Sequence, residues 1–435
     1  MGDSSTYIGG VPHTLNYFIN GNMKKSLYNF DIHQSGYTLL FNSRTSEVVV
    51  MTEQMYADFC TYSLDEKVEQ AYLQRGFYFT DSTNEFSEIQ NASINNSLKK
   101  EIHKYRILTT SACNATCFYC YEKGLRGYTM KERTALDTAK FIVEHIKSGE
   151  KLRIEWFGGE PLLNIKAIDV ISSYLKENLP EGIDYYSTIV TNGSRITKTI
   201  IDKMVNNWTL KRVQITIDGV GSKYEDVKGL GLGSFDRIIN IISCLIEAKI
   251  KIDIRVNYDK SNLEDIKEVI HFFSRYKYRD QITLYAAKIF SVETSRGYFD
   301  LEEETLEIET LLHALGFKKG TDLLPRTFVT GCMATFPGFY TIDPDGKLFK
   351  CDRKLLDGNI VASVSDYKEE NLYKHRWNDL EVDSKCESCS LYPMCWGGCL
   401  YDRLNGIYPC YLTHKIVKHN LKMLLDDYLK AKGLV

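Results

Sequence analysis

Apolar runs alternate six times with amphipathic stretches between residues 104 and 287. The runs have the length and β-branched composition of strands, and the stretches between them repeat apolar residues at helical spacing. The strand candidates are 104–111, 152–158, 185–191, 213–218, 251–257 and 281–287. Strand-helix units of this kind predict an α/β fold with a parallel sheet and right-handed crossovers, either an open doubly wound sheet or a partial barrel.

Polar residues and glycines follow the ends of these strand candidates. They are Cys113, Cys117, Cys120, the stretches 158–161 and 191–193, Asp218 and Asn257. The carboxyl ends of parallel strands meet at one edge of a sheet, where ligands of such folds bind. We therefore expect the functional site at this edge.

Cysteines are concentrated in two parts of the chain. Three of the 12 lie at 113–120, seven lie between Cys332 and Cys410, and Cys60 and Cys244 are isolated. We find no signal peptide and no apolar run of membrane-spanning length, so we expect a cytoplasmic protein. Clustered thiols in that reducing compartment indicate metal binding, whereas the two isolated cysteines are expected to be small core residues.

The overall charge excludes some partners. The net charge of −3, from 54 basic and 57 acidic residues, provides no excess of cations for a polyanion or a membrane surface. We expect no nucleic-acid partner and no membrane partner.

The spacing C-x3-C-x2-C from Cys113 to Cys120 leaves a metal site one ligand short. A structural zinc ion takes four ligands, so zinc would need a fourth from elsewhere in the chain. An iron-sulfur cluster held by three cysteines instead keeps one iron open for a substrate or cofactor. The pattern favours the cluster.

This cysteine pattern, with Tyr119 before the last cysteine and with Gly-Gly-Glu-Pro at 158–161, resembles the radical S-adenosylmethionine (SAM) superfamily. The resemblance implies a partial (β/α)6 TIM-like barrel. It also implies a [4Fe-4S] cluster on Cys113, Cys117 and Cys120 whose open iron binds the amino and carboxylate groups of SAM. One electron would then cleave SAM to methionine and a 5′-deoxyadenosyl radical.

The same resemblance implies a set of SAM contacts. They are Tyr119, Gly158, Gly159, Glu160, Asn192, Thr216, Asp218 and Arg255. The residues around Tyr119 would flank the adenine, the two glycines would let the backbone approach SAM, and Glu160 would receive the ammonium group. For Asp218 the alternative is a cap at the entry of the next helix, and for Arg255 it is a structural ion pair.

The cysteines after residue 325 resemble a second family element. Cys332 and Cys351 fit C-x13-G-x4-C, and the next four cysteines fit C-x2-C-x5-C-x3-C before a final Cys410. This resembles the SPASM extension and implies two auxiliary [4Fe-4S] clusters, three clusters in all; a zinc ribbon is the alternative. Cys386, Cys389, Cys395 and Cys410 would hold the distal cluster, and Cys332, Cys351 and Cys399 the proximal one.

Two hypotheses concern the proximal cluster. The stretch 333–340 contains no cysteine, so this cluster has an iron open to a peptide thiolate or another group. Asp352 directly follows Cys351 and is a candidate catalytic base. The two residues resemble the Cys-Asp pair of the sulfatase-maturing enzymes, which serves there as cluster ligand and base. A solvated loop aspartate is the alternative.

The first 95 residues contain three short β-prone runs followed by two helical ones, a winged-helix-like order, and the polar stretch 81–97 is predicted as a linker. This order resembles the leader-peptide recognition element of enzymes that modify ribosomally made peptides (RiPPs). We therefore predict three domains: 1–95 for leader binding and the linker, 96–325 for the radical SAM barrel, and 326–435 for the cysteine-rich SPASM domain.

These features together predict a radical SAM oxidoreductase that matures a peptide. The leading hypothesis is hydrogen abstraction from a precursor peptide followed by a thioether or carbon-carbon cross-link. The alternatives are a sulfatase-type maturase that forms formylglycine and a nonenzymatic iron-sulfur scaffold. The expected partners are a precursor peptide with its leader and an electron donor such as flavodoxin or ferredoxin.

Overall fold

The computed structural model describes residues 6–7, 23–80, 83–97, 101–122, 127–289, 301–325, 332–353, 360–368, 381–408, 410 and 412–435. Contacts divide the chain into two compact units. Unit 1 comprises Met1–Ser97, Lys318–Cys332 and Leu380–Val435, and unit 2 comprises Leu98–Phe317 and Met333–Asp379. Unit 1 therefore combines segments from both ends of the sequence.

The amino-terminal part of unit 1 begins with antiparallel strands. These are β1 (Thr6–Tyr7), β2 (Met23–Lys25), β3 (Asn29–Gln34), β4 (Tyr37–Asn42) and β5 (Val48–Thr52). Helices α1 (Glu53–Thr61) and α2 (Glu66–Gln74), strand β6 (Tyr78–Thr80) and helix α3 (Glu85–Ser97) follow. One sheet has the order β1-β5-β4-β3, and β2 pairs with β6. The predicted order of three strands and two helices is confirmed for β3 to α2.

Helix α3 contradicts the predicted linker at 81–97. Its sequence carries few apolar residues, of which Ile89 is buried and Phe86 packs against the same small cluster. The carboxylate of Glu85 also accepts hydrogen bonds from the Ser26 hydroxyl (2.7 Å) and the Leu27 N–H (3.1 Å). Tertiary contacts rather than a helical pattern therefore hold this segment.

Unit 2 is built on a nine-stranded sheet with the order β12-β11-β10-β9-β8-β7-β13-β14-β15. Its parallel strands are β7 (Ile102–Thr110), β8 (Lys151–Gly158), β9 (Asp184–Thr191), β10 (Leu210–Thr216), β11 (Lys251–Tyr258) and β12 (Ile282–Lys288). Strand β13 (Phe339–Ile342) pairs parallel to β7, and β14 (Lys347–Phe349) and β15 (Ala362–Ser363) add antiparallel. Six parallel strands in chain order confirm the predicted α/β class.

Helices connect these strands. They are α4 (Glu132–Glu144), α5 (Ile165–Asn178), α6 (Lys198–Asn206), α7 (Ser222–Lys228), α8 (Ser234–Glu247), α9 (Leu263–Ser274) and α10 (Glu302–Ala314). Alternate residues of each strand pack against them; on β11, Ile252, Ile254 and Val256 are buried in the core. The intervening residues, such as Asp253 and Arg255, project from the other face of the sheet, because side chains alternate along a strand. That second face is polar.

The carboxyl-terminal part of unit 1 contains helices α11 (Tyr392–Cys395), α12 (Leu400–Leu404) and α13 (His414–Ala431). The hydroxyl of Thr413 caps α13 by accepting from the Ile416 N–H. The buried side chains of Val417, Leu421 and Leu425 share one apolar cluster with residues of β3, β4 and β5. The sheet near the start of the chain is thus covered by the helix near its end.

The isolated cysteines differ in their surroundings. Cys60 is partly buried and packs against the cluster that contains Phe59 and Tyr78. Cys244 is exposed on α8, so its prediction as a core residue is wrong. The helix presents Ile242, Leu245 and Ile246 to the core instead.

Candidate active site

The three-cysteine loop follows β7 at the carboxyl edge of the sheet, as predicted. Cys113, Cys117 and Cys120 are all partly buried. The loop is held by a backbone hydrogen bond from the Thr116 N–H to the Lys228 carbonyl (2.8 Å). Among the described residues, no group of three or more His, Cys, Asp or Glu side chains has the arrangement of a metal site. The donor set, three thiols on one short loop, is the one that iron-sulfur clusters use.

Gly158 and Gly159 pack directly on the backbone that leads into this loop. The Gly159 N–H donates to the Thr110 carbonyl (3.0 Å), and the Glu160 N–H donates to the Ala112 carbonyl (2.9 Å). A Cβ atom at Gly158 would lie 2.2 Å from the Thr110 oxygen, and one at Gly159 would lie 2.4 Å from the Ala112 oxygen. The two glycines are therefore needed for close contact between β8 and the cysteine loop, a role that the sequence did not indicate.

Glu160 is completely buried and joins two strand ends. Its carboxylate accepts hydrogen bonds from the Thr191 hydroxyl (2.7 Å), the Asn192 N–H (2.7 Å) and the Leu162 N–H (3.0 Å). Burial raises the pKa of Glu160, and these three hydrogen bonds oppose the shift. Through these contacts Glu160 links the end of β8 to the end of β9. Its contact with the SAM ammonium group stays a prediction.

Replacing Glu160 with alanine is expected to lower the free energy of unfolding by about 3 kcal/mol, because three buried donors lose a charged acceptor. Chemical denaturation of the anaerobic protein measures this change. Glu177→Ala removes an exposed carboxylate from α5 and should change it by less than about 0.5 kcal/mol. Equal effects of the two substitutions would contradict the structural role of Glu160.

Asn192 connects the end of β9 to the cysteine loop. Its amide nitrogen donates to the Asn114 side-chain oxygen (3.0 Å) and lies 4.0 Å from the Cys113 sulfur. A cleft of about 400 Å³ opens beside Asn114 and Asn192 and reaches Tyr224 and Arg237. Asn192 thus lies next to the Cys113 thiol and also lines an accessible cleft. Its contact with SAM stays a prediction.

A buried polar group fixes the second half of the cysteine loop. The Tyr119 hydroxyl donates to Asp218, and the Lys228 ammonium contacts both the Asp218 carboxylate (3.0 Å) and the Tyr119 hydroxyl (2.8 Å). The side chains of Asp218 and Lys228 are 0% and 3% exposed, so this charge pair is removed from water. Burial alone lowers the pKa of Lys228, but the Asp218 carboxylate raises it well above its ordinary value.

Asp218 also ties β10 to β11. Its second oxygen accepts from the Asn257 N–H (2.7 Å). It does not cap α7, whose N-cap is Gly221 without a side-chain hydrogen bond, so the alternative of a helix cap is wrong. Sequence analysis missed Lys228, because a lysine in the last turn of a short helix is ordinary and nothing marks it as the partner of Asp218, ten residues earlier.

Arg255 and Thr216 lie side by side at the ends of β11 and β10. The Arg255 guanidinium donates to the Asn257 side-chain oxygen (2.8 Å), and within the described part of the chain it forms no ion pair. Thr216 is half-buried at the last position of its strand. The structure therefore brings Tyr119, Asp218, Thr216 and Arg255 to one edge of the sheet.

Asp352 lies within unit 2 beside the first two parallel strands. Its carboxylate pairs with the Arg106 guanidinium, which also contacts Glu155 (2.5 Å). The Tyr121 hydroxyl lies 3.4 Å from Asp352, and the Cys351 sulfur lies 3.7 Å from it. Asp352 is thus part of a charged cluster on the polar face and not a solvated loop residue.

The other predicted cluster ligands belong to different parts of the chain. Burial, followed by the charges of Cys395 and Cys389, raises the pKa of Cys386 to about 11, and Cys410 also contributes. All four predicted distal ligands belong to unit 1, and their role as one ligand set stays a prediction. Cys332 and Cys399 also belong to unit 1, whereas Cys351 belongs to unit 2. The proximal set stays a prediction.

Parts of the chain are similar to known proteins. Residues 107–273 match the radical SAM superfamily. A cysteine-type anaerobic sulfatase-maturating enzyme from Clostridium novyi is 24% identical over 327 residues, which cover 67% of this chain and 85% of that protein. The radical SAM cyclopropyl synthase TigE from Paramaledivibacter caminithermalis is 24% identical over 405 residues, which cover 76% of this chain and 81% of that protein.

Solved structures show the same fold. Native anSMEcpe with bound AdoMet and Cp18Cys peptide superposes with a TM-score of 0.57 at 17% identity, covering 76% of this chain and 97% of that one. Streptococcus suis SuiB bound to S-adenosylmethionine superposes with a TM-score of 0.52 at 16% identity, covering 91% of this chain and 100% of that one. None of the described helices is both long and apolar enough to cross a membrane.

Proposed function

Because the chain contains a radical SAM domain, we propose that it modifies a ribosomally made precursor peptide and installs a thioether or carbon-carbon cross-link. The observation that carries the proposal is the cysteine loop at the carboxyl edge of a parallel sheet, flanked by the polar ends of β8 to β11. When bound, SAM and its reduced cluster supply a 5′-deoxyadenosyl radical that removes a hydrogen atom from the peptide.

The residues of the chain have distinct roles in this proposal. Cys113, Cys117 and Cys120 would hold the SAM cluster, and the SPASM cysteines would hold two more. Asn192, Thr216 and Arg255 present amide, hydroxyl and guanidinium groups at adjacent strand ends, which suit the ribose and carboxylate of SAM. The buried ties made by Glu160 and Asp218 would fix these strand ends relative to the cysteine loop.

A peptide substrate is supported by the relatives and by the amino-terminal sheet. The structure of SuiB has been solved with the precursor peptide SuiA bound. Its superposition on this protein has a TM-score of 0.53 and covers 91% of this chain. Among the described strands, β3 forms an edge of the sheet in unit 1, so an extended leader can add there by backbone hydrogen bonds. The proposal includes a cytoplasmic location and an electron donor such as flavodoxin or ferredoxin.

A sulfatase-type maturase is the second candidate. It is favoured by the similarity to the Clostridium novyi enzyme and by the contact between the Cys351 sulfur and the Asp352 carboxylate (3.7 Å). Such an enzyme would oxidise a Cys or Ser of its substrate to formylglycine. The two candidates share the radical chemistry and differ in the product.

One experiment separates these functions. The anaerobically reconstituted protein is incubated with SAM, dithionite and the peptide encoded beside its gene, and the products are analysed by mass spectrometry. A loss of two hydrogens without fragmentation supports a cross-link, whereas conversion of a Cys or Ser to an aldehyde supports the sulfatase type. If no 5′-deoxyadenosine forms, the chain is an iron-sulfur scaffold and both enzyme proposals fail.

The Asp352→Asn variant tests the predicted catalytic base. We expect peptide modification to fall by about 100-fold or more, because an amide cannot accept the substrate proton. Cleavage of SAM without peptide should be retained, as should the iron content. Asp236→Asn, at an exposed position of α8, is the control. Full peptide modification by the Asp352 variant with all clusters present would remove the catalytic role.

A further inference from the structure

A cavity of about 510 Å³ lies at the amino-terminal end of the parallel sheet in unit 2, at the opposite edge from the cysteine loop. Residues from the first halves of β7, β8, β10 and β11 line it, together with β9 residues as far as Val190. On β8, Arg153 lines the cavity and Gly158 contacts the cysteine loop. The two residues are five positions apart on the strand, which corresponds to about 17 Å. The basic end of the cavity is therefore remote from the cysteine loop, whereas Glu155, which also lines the cavity, is linked through Arg106 to Asp352.

The lining of this cavity is strongly basic. It contains six basic residues and two acidic ones, Glu155 and Asp253. Both carboxylates already pair with arginines, Glu155 with Arg106 (2.5 Å) and Asp253 with Arg212 (2.5 Å). The chain as a whole carries a net charge of −3, so this concentration of positive charge is local.

Four lysines of the lining form no ion pair with the described residues: Lys104, Lys211, Lys249 and Lys251. Three of them are exposed, and Lys104 is half-buried. Lys104 lies on β7 and Lys251 on β11, four strand spacings apart, which corresponds to roughly 19 Å. Lys211, Lys249 and Lys251 thus lie together on β10 and at the start of β11, and Lys104 lies apart from them on β7.

This spread selects among anionic ligands. A phosphate group can contact the neighbouring lysines of β10 and β11 but cannot also reach Lys104, whereas an extended peptide of about six residues spans roughly 20 Å and can present several carboxylates. The Arg153 guanidinium covers one face of Tyr186, 4.0 Å from the ring centroid, so that face is not available to stack on a nucleobase. The geometry favours an acidic peptide over a nucleotide.

We propose that this basic cavity binds an acidic segment of the peptide substrate. This inference rests on the proposed function in one respect, namely that the bound acidic peptide is a segment of the enzyme's substrate. Binding here, away from the cysteine loop, would raise the local concentration of the peptide and orient it without touching the reacting atoms. Its strength would depend on ionic strength, because exposed charges are screened by salt.

The test uses the reconstituted holoenzyme and a fluorescein-labelled octapeptide of alternating Glu and Ser, measured by fluorescence anisotropy at low salt. We expect it to bind at least about tenfold more tightly than the Gln-Ser octapeptide and to weaken as salt is added. The triple variant Lys211→Glu, Lys249→Glu, Lys251→Glu should lose at least about tenfold in affinity. The control triple variant Lys176→Glu, Lys198→Glu, Lys260→Glu changes three exposed lysines outside the cavity and should retain it.

The outcomes separate this inference from the proposed function. Equal binding of the Glu and Gln peptides, equal loss in both triple variants, or stronger binding of tripolyphosphate than of the Glu peptide would overturn the peptide site. Formation of 5′-deoxyadenosine is measured in the same samples and should be unchanged in both variants. Peptide binding without any SAM cleavage by the wild-type chain would instead overturn the proposed function and leave the basic site standing.

Discussion

The Gly159→Ala variant is expected to cleave SAM at least about 100-fold more slowly than the wild-type chain, because a displacement of about 1 Å at an active site has an effect of this size. The new Cβ would lie 2.4 Å from the Ala112 oxygen and 2.7 Å from the Ser111 oxygen. Both are backbone atoms of the segment that leads to Cys113, so no flexible side chain can move aside. The strand end or the cysteine loop must shift.

The measurement is the rate of 5′-deoxyadenosine formation with SAM and dithionite, alongside iron content. Gly231→Ala is the control. The φ of +82° at this position strains the backbone of an alanine, but the added Cβ would have no atom within 4 Å, so the variant tests backbone strain without a steric clash. We expect that variant to lose about 1 kcal/mol of stability and to keep its SAM cleavage. Unchanged cleavage by Gly159→Ala would mean that the loop position does not depend on this contact.

The Lys228→Met variant is expected to lose about 3 to 5 kcal/mol in the free energy of unfolding, because it leaves the fully buried Asp218 carboxylate without its cation. The Tyr119 hydroxyl also loses its ammonium partner, so the second half of the cysteine loop should loosen. Urea denaturation of the anaerobic protein reports the first effect, and iron content reports the second.

Two further variants test the cause. Lys223→Met removes the cation of an exposed ion pair with Asp265 and should change the free energy by less than about 1 kcal/mol. Adding Asp218→Asn to Lys228→Met should recover most of the lost stability, since it removes the unpaired charge. If the double variant is as unstable as the single one, packing of the lysine stem rather than charge explains the loss.

The positions of the parallel strands and of the cysteine loop could be predicted from the sequence because both depend on local pattern. The predicted strand 251–257 is found as Lys251–Tyr258, with Ile252, Ile254 and Val256 buried as their alternation requires. Polar residues after strand ends also gather at one edge whenever the strands are parallel. Asp218 and Asn257 are predicted at this edge on that ground, and the hydrogen bond from the Asn257 N–H to the Asp218 carboxylate joins them there.

Contacts between distant segments could not be predicted in this way. Lys228 is attached to the site by Tyr119, more than 100 residues earlier, and neither residue signals the other. The family resemblance assigns Glu160 to SAM, but two of its three hydrogen-bond donors, the Thr191 hydroxyl and the Asn192 N–H, depend on where β9 ends. Helix α3 lacks a helical apolar pattern, so composition indicated a linker where tertiary contacts support a helix.

The shared core of unit 1 has a consequence for biosynthesis. The apolar face of β3 to β5 is covered by α13, and 362 residues separate Thr52 from His414. At ordinary translation rates that distance corresponds to roughly 20 to 70 s, during which the sheet exists without its covering helix. All of unit 2 is synthesised within that interval, so its nine-stranded sheet can form before unit 1 completes its own core.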